Sequence, residues 1–151
     1  MRRVVRIAAL LSLVGGLALA GPAGTVAETK TKGHSVEPAD VSFIGINGHG
    51  HARGGYHFSP EHLNTLVVVV SWQTLVGAHT QRLELLTPDG SVYQGFTTEV
   101  GSVDGRARVE TPVRVAGTWI TEYQLFGPWT VNVYLDGQPT PVARGHFTLA
   151  H

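Results

Sequence analysis

The sequence predicts an all-β fold, a two-sheet β-sandwich of about seven or eight short strands. Three observations carry that expectation. Apolar and polar residues alternate at period two in the last third of the chain. Turn signals recur every ~10–20 residues along the rest. No window shows a convincing apolar period of 3.6 residues over three turns.

The first 20 residues read as a signal peptide. Arg2, Arg3 and Arg6 precede an apolar run from Ile7 to Leu19, and Ala18-Leu19-Ala20 ends it with small residues. The run is shorter than the ~20 residues a membrane helix needs, and Gly15-Gly16 weakens it further. Cleavage is expected after Ala20, with Ala27 as a second site, so the protein is expected to be periplasmic or secreted, with no stable membrane insertion once cleaved. Residues 21–38 are small, polar and charged without periodicity, which predicts a flexible leader. Residues 39–151 remain for one domain with a core of its own.

Within that domain, residues 41–46 make a first short strand, and the glycine-histidine stretch 47–55 follows it. Residues 63–72 contain Leu66-Val67-Val68-Val69-Val70, apolar on both faces, as in a central strand covered on both sides or a buried strand near a sheet edge. Residues 80–86 place Leu83 and Leu85 together before the turn Thr87-Pro88-Asp89-Gly90. Residues 91–99 put Val92 and Phe96 in phase on one side and Tyr93 on the other. A strand over 107–115 carries Val113 and Val115. The chain closes on a hairpin: Trp129, Val131, Val133 and Leu135 alternate with polar residues, Asp136-Gly137 turns the chain, and Phe147 and Leu149 share a face of the last strand. Trp72 and Trp129, in phase with strand valines, are expected in the core.

Composition excludes several function classes. Basic and acidic residues balance at 11 each, but three arginines lie in the signal, which leaves a net charge of about −3 before the histidines. Such a domain offers no basic footprint for nucleic acid. With no cysteine, the protein is neither a thiol enzyme nor a thiolate-metal protein, and packing alone must hold it together.

The segment Leu83, Leu85, Pro88-Asp89-Gly90, Tyr93, followed by Gly127, Trp129, Val131, Val133, Tyr134, Asp136-Gly137, Val142-Ala143, Phe147 and Leu149, resembles exported bacterial immunoglobulin-like domains of unassigned function. The resemblance covers about residues 79–150. It implies an immunoglobulin-like two-sheet β-sandwich, and a role as an adhesive, carbohydrate-associated or assembly module. The paired cysteines of antibody-type domains are absent, so their inter-sheet disulfide does not carry over.

Two groups of residues are candidates for function. Eight histidines are many for this length, and His49, His51, His57 and His62 cluster, with His79 further on. If residues 49–51 are extended, His49 and His51 point to one side and could hold zinc or copper, with His57 or Glu61 as a third ligand. The competing reading is a glycine-rich mobile loop with solvated histidines and no cofactor. The second group is Trp119, Tyr123 and Phe126. Exposed, these rings would dock a partner. Buried, Trp119 and Phe126 would plug one end of the sandwich while Tyr123 made a corner hydrogen bond.

Enzyme signatures are missing: there is no G-x-S-x-G, H-E-x-x-H, P-loop or G-x-G-x-x-G. Ser71, His79 and Asp89 have the residue types of a triad without its context, and Asp89, Asp104 and Asp136 fit turns whose amides they satisfy. The expectation is a non-catalytic exported interaction module that binds a protein partner or an envelope polymer. The alternative is a small periplasmic metal-binding protein that uses the four histidines.

Overall fold

Alternation sends every second side chain of most of the long strands inward, and two such rows face each other to make the core. The computed structural model describes residues 38–151. The expected signal peptide and all but the last residue of the leader lie outside that range. The strands are β1 (Ala39–Ile46), β2 (Ala52–Gly54), β3 (His57–Phe58), β4 (Thr65–Trp72), β5 (Gly77–Leu86), β6 (Val92–Ser102), β7 (Ala107–Arg114), β8 (Gly127–Leu135) and β9 (Ala143–Leu149), with one helical turn, α1 (Trp119–Glu122), between β7 and β8.

One sheet has the order β2-β1-β4-β7 and the other β3-β9-β8-β5-β6. All neighbours are antiparallel except the short β3–β9 pair. Of the seven long strands in chain order, the first, second and fifth form one sheet, and the seventh, sixth, third and fourth the other. That order is an immunoglobulin-like Greek key. The fourth strand stays beside the third; in constant-type domains it joins the opposite sheet.

The core rows are Val41 and Phe43 of β1, Leu66, Val68 and Val70 of β4, Val113 of β7, Leu83 and Leu85 of β5, Val131 and Val133 of β8, and Phe147 and Leu149 of β9, all buried. Both expected core tryptophans are there, with Trp72 at 2% exposure and Trp129 at 0%. The Trp72 indole N–H donates to Oε1 of Gln81 at 2.9 Å, which satisfies two buried polar groups across the two sheets.

β6 departs from expectation. Val92 is 62% exposed, whereas Tyr93 and Phe96 both pack on the core. A bulge is the reason: Leu85 pairs with Gln94 and Leu86 with Val92, so Tyr93 is an extra residue that reverses the phase of the strand. Period two holds only within an unbroken ladder.

The sheets approach closely at Gly145. A Cβ there would stand 2.5 Å from Cγ1 of Val41 and 2.9 Å from Cζ of Phe43. Gly145→Ala is therefore expected to push β9 away from β1 and to destabilise the fold by about 1–3 kcal/mol. A lowered midpoint of denaturant unfolding with an unchanged slope would show this, and an unchanged midpoint would refute it.

Candidate functional site

The connection from β7 to β8 makes the corner that presents the aromatic segment. Thr118 caps α1: its Oγ1 accepts from Ile120 N at 3.3 Å and donates to the Val115 carbonyl at 2.7 Å. Ile120 is buried and anchors the turn in the core. Gln124, at φ 50, breaks the turn. The chain then enters β8 with the Trp129 indole N–H donating to the Leu125 carbonyl at 2.9 Å. This bond does the work of the tyrosine corner of immunoglobulin-type folds, with a tryptophan as donor.

The corner sorts the three aromatic candidates. Phe126 packs inward and lies edge-on to His151, 5.0 Å between ring centroids. Trp119 and Tyr123 point outward, at 66% and 68% exposure. One helical turn apart, their rings meet edge to face at 6.1 Å and 87°. Of the inward reading, Phe126 alone conforms: Ile120 takes the position expected of Trp119, and Trp129 makes the bond expected of Tyr123.

The histidine-rich stretch is ordered structure. Asn47 closes a turn, its Oδ1 accepting from the amides of His49 at 3.0 Å and His51 at 2.9 Å. Ile46 then pairs with Ala52, so β1 and β2 form a hairpin at the edge of one sheet. The chain crosses over, β3 joins the edge of the other sheet beside β9, and the chain returns to β4. The crossing leaves a cleft of about 360 Å³ between β1, β2, β3 and the turn at 59–63. His51, Arg53, His57 and His62 line it over the apolar side chains of Phe58 and Leu63. Gly45 makes room for that floor, since a Cβ there would come within 2.7 Å of Phe58 and 2.9 Å of Leu63.

His49 does not line the cleft; its ring lies 6.3 Å from that of His51, centroid to centroid. Among the described residues, no three His, Cys, Asp or Glu side chains are placed to hold a metal ion. The turn at Asn47 replaces the extended geometry that would have made His49 and His51 a chelating pair. Glu61, the other suggested ligand, contacts His151 at 3.2 Å.

Both candidate regions lie at one end of the sandwich. Ile46 pairs with Thr65 and Thr65 with Arg114, which sets the end of β1, the start of β4 and the end of β7 side by side. The Asn64 carbonyl accepts from the amides of Val115 at 3.0 Å and Ala116 at 3.3 Å, joining the histidine-rich connection to the chain that leads into α1. His151 bridges Phe126 and Glu61.

The remaining histidine of interest, His79, sits at the start of β5. Its Nδ1 bonds Oδ2 of Asp136 at 2.7 Å and its Nε2 the Val76 carbonyl at 2.9 Å. Both partners are acceptors, so the doubly protonated ring satisfies them together. The bond to Asp136, then that to Val76, raises the pKa of His79 above its ordinary 6.5. The same bond, with the Thr80 amide, holds Asp136 below 3.8. Asp89, by contrast, accepts from Ser91 N at 3.1 Å in the turn beyond the other end of β5, so Ser71, His79 and Asp89 form no triad. Asp104 likewise accepts from Arg106 N at 3.1 Å, the turn role expected of it.

These shifts set the pH dependence of the pair. Because the folded pKa of His79 is raised, its contribution to stability is complete below 6.5 and is lost as the pH rises through the raised value. The lowered pKa of Asp136 makes the pair's contribution present above 3.8 and lost on acidification through the depressed value. An NMR titration of the His79 imidazole is expected to show a midpoint above 6.5, and Asp136→Asn to return it toward that value. An identical midpoint in the variant would contradict the assignment.

No family model matches the chain, and no curated protein matches it. Among solved structures, the chain is similar to an immunoglobulin-like protein from Pseudomonas aeruginosa, with 14% sequence identity over 74% of this chain and 92% of that one, at a TM-score of 0.43. The strand order itself identifies the architecture as an immunoglobulin-like β-sandwich.

Proposed function

We propose that the protein is an exported, non-catalytic interaction module that binds a protein partner or an envelope polymer through the corner at α1. One observation carries this reading: Trp119 and Tyr123 stand out from the surface as an edge-to-face pair on a turn anchored by Ile120 and by the Trp129–Leu125 bond. Large aromatic side chains bury about 150–250 Å² each and lose few rotatable bonds on contact. A pre-ordered pair is therefore a low-entropy anchor for a polypeptide or a sugar ring. Export is supported by the charged start, the apolar run and the small residues ending at Ala20. Among the described residues, no helix is long and apolar enough to cross a membrane.

The exported protein is expected to begin at Gly21, which N-terminal sequencing of the secreted or periplasmic form would read directly. Trp119→Ala with Tyr123→Ala is expected to weaken retention of the protein on isolated envelope material by at least about tenfold. Both rings are exposed, so the melting temperature should stay within about 2–4 °C of the parent. Equal retention of the double variant would remove the corner from consideration as the binding surface.

A further inference from the structure

The cleft of the histidine-rich connection is chemically distinct from the aromatic corner, and its charge decides what it can hold. Arg53 enters it from β2, His57 from β3, and His51 and His62 from the turns, while β1 contributes Gly45 and the turn after it the uncharged Asn47. Among the described residues, no carboxylate lines it. Glu61, the nearest acidic residue in the chain, is engaged by His151 at 3.2 Å, and Arg53 makes no ion pair among the described residues. A permanent guanidinium charge beside three imidazoles repels a divalent cation and attracts an anion. The imidazole N–H groups add hydrogen-bond donors to the wall. Asn47 and Ser59 add neutral polar groups to the wall. The apolar floor of Phe58 and Leu63 suits the body of a small ligand beneath its charged group.

We propose that this cleft is an oxyanion site, in which the Arg53 guanidinium grips the carboxylate of an acidic sugar or a phosphate group and the three histidines surround it. The fork of an arginine matches two oxygens of either group, and these are the strong charge-assisted contacts. The site goes beyond the module's proposed partner surface and does not depend on it. The cleft is a consequence of the crossover between sheets: the β1–β2 hairpin supplies one wall and the β3 edge the other.

The test is calorimetric titration of the protein with a galacturonate trisaccharide, with inorganic phosphate and with a neutral galactose trisaccharide. Saturable binding of the uronate or of phosphate, absent for the neutral sugar, is expected, and whichever of the two binds identifies the source of the anion. Arg53→Gln is expected to weaken it by at least about tenfold and Arg53→Lys by less. Arg53 is exposed on a short edge strand, so an unchanged melting temperature would show that the variants fold. The Trp119→Ala, Tyr123→Ala double variant should bind the anion as the parent does. Binding of neither anion, equal binding of the neutral sugar, an unaffected Arg53→Gln variant, or loss in the aromatic variant would each overturn the assignment.

Discussion

Burial of Trp129 is the contact on which the rest of the structure depends. Its ring stacks on Phe147 at 5.8 Å and meets Tyr93 edge-on at 5.4 Å, while Phe147 reaches Phe43 of the opposite sheet at 5.0 Å. A sandwich without cysteine has no covalent link between its layers, so aromatic and aliphatic packing must hold them together. The same indole holds the Leu125 carbonyl through its N–H. That second bond stops the chain at a defined point after α1, and with Ile120 buried it leaves Trp119 and Tyr123 facing out. One side chain thus links the core to the surface proposed to do the binding.

The β1–β4 connection shows a different use of the same frame. The edges of the two sheets beside β1 and β9 would present unpaired backbone to solvent, a template for association with another chain. β2 and β3 cover them as two very short strands, one on each sheet. Between these, the chain that caps the edges also encloses the cleft. Gly45 is the concession that permits it, because any larger residue would displace Phe58 and Leu63. Four glycine and histidine positions in a row read as loose chain in one dimension, yet the Asn47 side chain ties them into a turn.

How far the fold could be read from the sequence depended on whether each signal was local. Leu83, Leu85, Val131 and Val133 alternate without interruption, and their strands lie where that alternation places them. Val92 was out of phase because a bulge opposite Leu85 and Leu86 is a property of two paired strands, invisible in either one alone. At the site, the residue types were legible and their grouping was not. Trp119, Tyr123 and Phe126 look alike in sequence, and it is the Trp129 bond, made from the following strand, that separates two exposed rings from a packed one. Arg53 carried no signal of its own within the glycine-histidine stretch, yet with three histidines lining the same cleft the charge of that cleft turns on it.

The sequence by itself determined an all-β sandwich with its long strands, its turns at Asp89, Asp104 and Asp136, and its two core tryptophans, because period-two burial and turn chemistry act over a few residues. Only the tertiary structure decided which histidines share a cleft, which aromatic rings meet solvent, and that both lie at one end of the molecule. Those outcomes rest on contacts between strands far apart in the chain, on a crossover from one sheet to the other, and on one indole hydrogen bond, and none of these leaves a periodic trace in the order of residues.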